Sequence, residues 1–106
     1  MKNEQATQVK VEKFHLGIYA IITKGDSVLL VKKSRGPYRG KWDLPGGSPL
    51  HGESILQTLQ REVLEETGVR LDCVDHHKNV AFTVEYKEDG KKISLHHTCL
   101  VYTRSS

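Results

Sequence analysis

The sequence predicts an α+β domain, a mixed β-sheet with a single helix laid on one of its faces. Three observations predict it. One segment of about 14 residues carries helical apolar spacing with signals at both ends. Five or six β-branched runs surround it. The third is size: 106 residues and 12.0 kDa, 37% hydrophobic and 27% charged, suffice for one core and not for two. No apolar run approaches the roughly 18 to 20 residues that a bilayer crossing needs. The start, MKNEQATQVKVEKF, is too polar for a signal peptide, so a cytoplasmic location without a membrane partner is expected. Cys73 and Cys99 are then expected as free thiols.

Residues 1–13 read as an N-terminal tail or edge strand, with Val9 and Val11 alternating with polar neighbours, and 14–106 as the domain. From Leu16 to Val31 the β-branched Ile18, Ile21, Ile22, Val28 and Val31 are broken by Lys24-Gly25-Asp26-Ser27, which predicts a hairpin. Ser34 to Gly40 reads as a loop, followed by a short apolar stretch, Trp42 to Leu44, and a turn, Pro45-Gly46-Gly47. The helix runs from about Ser54 to Thr67. Ser54 and Gln57 form a capping box, and Gly68 stands where a left-handed cap is favoured. Ile55, Leu59 and Val63, with Leu56 beside them, make one apolar stripe that must lie on the sheet. Three β-like runs follow, Val69 to Val74, Val80 to Tyr86 and Ile93 to Tyr102, the last two joined by the turn Lys87-Glu88-Asp89-Gly90.

One helix covers one face of a sheet. The other face is left without a partner from this chain, which predicts either a C-terminally short domain or a homodimer that covers the open face.

The net charge of +3 and pI near 8.9 fall short of the basicity expected of a nucleic-acid binder, so generic nucleic-acid binding is disfavoured. Lys24 to Lys41 nonetheless holds six basic residues against one acid, Asp26, and would carry such binding if it occurred. The helix that follows is acidic. Glu62, Glu65 and Glu66 stand at i, i+3 and i+4, so their carboxylates project from one face and repel. They also lie toward the negative pole of the helix dipole, where an acid typically loses about 0.3 to 1 kcal/mol. Arg61, four residues before Glu65, is in the weaker orientation for an ion pair and is expected to neutralise the cluster poorly. A divalent cation would do so better, and an all-oxygen donor set favours Mg²⁺ or Mn²⁺ over Zn²⁺.

Around that trio, Gly47, Glu53, Arg61, Glu62, Val63, Glu65, Glu66, Gly68 and Val69 fit the pattern G-x5-E-x7-R-E-U-x-E-E-x-G-U, with U aliphatic, at every position. The pattern resembles the signature of Nudix hydrolases, and Trp42-Asp43-Leu44-Pro45-Gly46-Gly47 resembles the lead-in of MutT-like members. At average residue usage such a match arises by chance on the order of once in 10⁹ starting points. The resemblance implies a Nudix-like mixed sheet carrying the helix on one face. It also implies hydrolysis of the pyrophosphate bond of a nucleoside diphosphate linked to another moiety, with Mg²⁺ or Mn²⁺. By the same resemblance Glu62 and Glu66 are implied as metal ligands, Glu65 as a further ligand or outer partner, and the Gly46 carbonyl as a main-chain ligand. Glu62 is also implied to orient the attacking water, and Glu53 to add a carboxylate held by Arg61. Members usually continue with a further strand and a second covering helix, often with a late acid; here only Glu85 and Glu88 are late candidates.

The chemistry agrees with those roles. A diphosphate repels hydroxide, and metal ions that screen its oxygens and acidify bound water answer both difficulties. Among the basic residues, Lys33 and Arg39 are the preferred phosphate contacts. Trp42 and Tyr38 are as suited to packing as to stacking on a base. Cys73, His76, His97 and Cys99 would need paired strands to converge on zinc and meet no full tetrahedral spacing. The substrate expected is a nucleotide-type small molecule, and the competing reading is an inactive nucleotide-binding or sensor module on the same fold.

Overall fold

The computed structural model describes residues 10–34 and 38–105; Val9, Arg35 and the 1–8 tail lie outside the described residues. A 15-residue strand, β1 (Lys10–Lys24), runs parallel to the equally long β7 (Lys91–Ser105), from Lys10↔Lys92 to Thr23↔Ser105. On the far side of β7 lies the antiparallel β6 (His76–Glu88), so the sheet is mixed, as expected of this α+β class. At its other edge β1 pairs antiparallel with two short strands, β2 (Ser27–Val28) and β5 (Gly46–Gly47). A separate two-stranded sheet joins β3 (Val31–Lys32) to β4 (Trp42–Asp43).

Both predicted hairpin turns form where glycine allows them. Gly25 (φ +60°) turns β1 into β2, and Asp89 and Gly90 (φ +51° and +74°) supply the two positive-φ positions that match the twist of β6 and β7. The helix α1 (Ile55–Thr67) starts at Ser54, whose side chain accepts from the Gln57 N–H while the Gln57 side chain accepts from the Ser54 N–H. It stops at Gly68, left-handed at φ +76°.

The sheet has two buried layers, because alternate strand residues point to opposite faces. Ile18, Ala20 and Ile22 of β1 pack under α1, where Leu59 and Val63 are fully buried; Leu71 closes that core. Leu56, expected beside the stripe, is exposed. On the opposite face Tyr19, Cys99 and Val101 form a second cluster, covered in part by Leu44. That face is therefore not wholly open, since the 38–44 segment reaches over it.

Val69 to Val74 corrects a sequence expectation: it is not a strand. The run crosses from α1 to β6 with no ladder neighbour. The Leu71 carbonyl accepts from Gln60 Nε2 at 2.9 Å, and the Leu71 side chain goes into the core. Cys73 and Cys99 are both free, the first exposed beside Arg104, the second buried. Among the described residues, no helix is long and apolar enough to cross a membrane.

Candidate active site

Gly46 and Gly47 determine how closely α1 can approach the sheet. Gly46 has φ +150°, and a Cβ there would overlap the Ile18 carbonyl oxygen and the Tyr19 backbone. At Gly47 a Cβ would occupy the place of the Glu62 carboxylate. Two bare backbone positions thus let β5 pair with β1 while the helix lays its acids against them.

The acids divide into two sets. Glu62 and Glu66 face a cleft of about 500 Å³ that also takes in Lys33, Ser34 and His15. Glu66 Oε1 accepts from the Gly46 N–H at 2.8 Å, and its Oε2 lies 3.7 Å from Lys33 Nζ. Glu62 Oε1 accepts from Arg61 at 2.9 Å while its Oε2 lies against Gly47. Burial raises the Glu62 carboxyl above the ordinary carboxylate range; Glu65 and Glu66 push the same way and Arg61 opposes them. Glu65, by contrast, stands at the outer rim, largely exposed, 3.2 Å from Arg61. Arg39 is exposed in the turn after the loop and does not line the cleft.

Arg61 does more than its spacing suggests. Its Nε and Nη2 clamp Glu53 at 2.6 and 3.0 Å, its Nη1 reaches Glu62 and Glu65, and its Nη2 also donates to the Ser48 carbonyl at 3.2 Å. The i,i+4 rule considers Glu65 alone and misses a guanidinium fork shared by three carboxylates. Arg61, above all, then the Leu50 N–H and the Thr58 hydroxyl, hold the Glu53 carboxyl down to about 2. Thr58 is fully buried and bridges Glu53 to the Ser54 carbonyl. Sequence reasoning passed over Thr58; its position next to Leu59, within the buried stripe, was the available signal.

The donor set fits a hard divalent cation. Among the described residues, the four carboxylates Glu53, Glu62, Glu65 and Glu66 share two ion-pair partners, Arg61 and Lys33. The four acids offer oxygen ligands, which suit a hard ion, and His15 lines the same cleft with an imidazole. Among the described residues no three acids, histidines or cysteines already converge as a closed cage. Glu62 and Glu66 are the pair that faces the cleft, and Arg61 and Lys33 engage one oxygen of each.

A second cleft of about 310 Å³ adjoins the first on the sheet face that carries Tyr19, and it is lined mainly by apolar and aromatic atoms. Trp42, Leu44, Phe82, Val80 and Val101 form its walls. Tyr19, Tyr38 and Asp43 line both clefts and so make the partition between them. Lys33 Nζ sits 5.7 Å from the Tyr19 ring centroid, a cation over the partition itself. His97, weighed above only for zinc, projects into the second cleft from β7.

This mixed sheet with a glycine-seated acidic helix is the Nudix arrangement: the NUDIX domain model matches residues 13–105, and the chain belongs to that family. The human 8-oxo-dGDP phosphatase NUDT18 is 41% identical over 51 residues, 48% of this chain and 16% of that protein. The ADP-ribose pyrophosphatase of Methanocaldococcus jannaschii is 37% identical over 54 residues, 51% of this chain and 32% of that protein. Among solved structures, the MutT Nudix hydrolase of Burkholderia pseudomallei superposes with a TM-score of 0.61 at 26% identity, covering 89% of this chain and 68% of that one. The chain thus matches less than a third of the length of these two curated relatives.

Proposed function

We propose that this chain hydrolyses the pyrophosphate bond of a nucleoside diphosphate linked to another moiety, using Mg²⁺ or Mn²⁺ held by Glu62 and Glu66, with the Gly46 carbonyl and Glu65 as further ligands. The observation that carries this reading is Glu62, a half-buried carboxylate pressed against Gly47 and facing, with Glu66, a cleft that Lys33 and Arg61 also line. Bound there, the metal would screen the diphosphate oxygens and lower the pKa of a coordinated water. The chain's own residues do the rest. Glu62 orients the attacking water and takes its proton. Arg61 fixes the Glu62 and Glu53 carboxylates, and Lys33, beside Glu66, is placed to neutralise a substrate phosphate. Arg39, exposed on the nearby turn, meets phosphates that extend out of the cleft. The group attached to the diphosphate enters the aromatic cleft beyond Tyr19 and Tyr38. A nucleotide suits both halves, because it joins polyanion to planar ring. The relatives named for 8-oxo-dGDP and ADP-ribose act on molecules of this kind.

Product release from nucleoside triphosphates and ADP-ribose with Mg²⁺, wild type against Glu62→Gln, tests the reading. A loss of about 10² or more in kcat is expected, since the amide cannot take the proton. Turnover equal to wild type in Glu62→Gln, or none in the wild type on any of these compounds, overturns it.

A further inference from the structure

His97 is one of two buried polar side chains in the described structure, 3% exposed, and it stands among aromatic rings. Its Nε2 lies 3.1 Å from the Tyr19 hydroxyl and its Nδ1 3.4 Å from the Tyr38 hydroxyl. A neutral imidazole offers one donor and one acceptor, so one tyrosine donates to the ring while the other accepts from it. Burial, more than neighbouring His15, disfavours the charged ring. The Tyr38 ring lies at 29° to the imidazole with centroids 6.0 Å apart, and Phe82 packs at 5.1 Å.

These two tyrosines are not arbitrary neighbours. Tyr19 belongs to β1 and is fixed by the sheet. Tyr38 belongs to the connection between β3 and β4, outside any strand, and its backbone contact is a turn bond from the Lys41 N–H to its own carbonyl. Its link to the main sheet is made through the side chain, at His97. Both tyrosines line both clefts, so the passage from the carboxylate cleft to the aromatic cleft is as wide as the Tyr19–His97–Tyr38 chain holds it.

We propose that His97 is a positioning residue for substrate selection: by holding the Tyr19 and Tyr38 hydroxyls it sets the wall between the two clefts, and it thereby selects diphosphates that carry a planar ring. The inference rests on the hydrolase reading above and deepens it. It assigns ring discrimination to a histidine that touches neither the diphosphate nor the metal ligands.

Trp42, the chain's single tryptophan, lines the aromatic cleft, so its fluorescence reports on occupancy there. AMP, which is not a pyrophosphate and needs no metal for the measurement, serves as the probe. Wild type is expected to show saturable quenching by AMP. His97→Phe keeps an aromatic ring and loses both hydrogen bonds, and it is expected to weaken AMP about tenfold, the scale of one to two neutral hydrogen bonds. Its KM for ADP-ribose with Mg²⁺ should rise by a similar factor, with kcat within about threefold of wild type. His97→Gln, which can donate and accept at once, should stay within about threefold of wild type in both. Wild-type AMP affinity in His97→Phe overturns the proposal, as does failure of His97→Gln to rescue. If His97→Phe does not fold, Tyr38→Phe decides, and unchanged AMP affinity there overturns the proposal. Turnover without AMP quenching in the wild type sinks this inference and leaves the hydrolase standing; AMP quenching without turnover of any diphosphate sinks the hydrolase and leaves the wall to be judged by the AMP comparison.

Discussion

The two clefts lie side by side and are built on opposite plans. The carboxylate cleft is built around α1 and Gly46–Gly47, with charged side chains, Glu62, Glu66, Arg61 and Lys33, turned into it. The aromatic cleft draws on β1, the 38–44 segment, β6 and β7, and its one buried polar group, His97, has a neighbour for each ring nitrogen. On the proposed function, the contrast separates chemistry from recognition. A reacting site keeps unsatisfied charge in reserve for what it binds, whereas a shape-selecting site satisfies its polar groups so that only apolar surface remains to be filled.

The largest expected effect removes the support common to both. Leu59 is fully buried between α1 and β1, and Leu59→Ala should destabilise the domain by about 2 to 5 kcal/mol through lost burial and a residual cavity. Chemical denaturation should show that loss, and AMP quenching and turnover should fail together at the same denaturant concentration. If quenching outlasted turnover, the two clefts would not share one folding unit.

Gly47→Ala should instead divide them. The alanine Cβ would take the place of the Glu62 carboxylate, and the backbone at Gly47, unlike that at Gly46, does not sit at positive φ. Since the obstructed atoms are the end of a flexible side chain, Glu62 can swing aside and the fold should survive with a small change in melting temperature. Displacement of a catalytic carboxylate by an ångström costs up to about 10² in rate. Turnover should therefore fall at least tenfold, with AMP quenching of Trp42 close to wild type. Equal losses in both would mean that the clefts are mechanically coupled through β5 and Tyr19.

The same division governs what could be read in advance. The capping box, the Gly68 stop and the stripe of Ile55, Leu59 and Val63 operate over three or four residues, so the sequence displays them directly. The spacing of Gly47 and Glu62 was legible, but the seating of the carboxylate against that glycine was not, because it depends on how α1 packs on β5. Nor was His97. Its partners Tyr19 and Tyr38 are 78 and 59 residues away, and only the parallel register of β1 with β7 brings them together. Val69 to Val74 has strand composition but no neighbour to pair with, and a run of apolar residues cannot reveal that its carbonyl partner is a glutamine side chain on the helix. Helical spacing alone gave Arg61 only Glu65, whereas the resemblance to the Nudix signature implied its pair with Glu53, which forms from outside the helix.

Titration should separate the two regions by the pH at which each stops contributing to stability, the smallest of the expected effects. The folded-state Glu53 carboxyl is lowered to about 2 from an ordinary 4.5, chiefly by Arg61. A lowered carboxyl contributes stability that is fully present above the unfolded value and is lost as pH falls toward the folded one. The melting-temperature gap between wild type and Glu53→Gln should therefore be widest above pH about 4.5 and should close as pH approaches about 2. His97 behaves in the same sense in a higher window. Burial lowers its folded pKa below the ordinary 6.5, so the unfolded chain takes up the proton first and stability falls as pH drops below about 6.5. The gap between wild type and His97→Phe should accordingly begin to close below pH about 6.5, while the Glu53→Gln gap still holds its full width. Two gaps that close in the same interval would show that the carboxylate fork and the buried imidazole titrate as one network, and the separation of the clefts would fail.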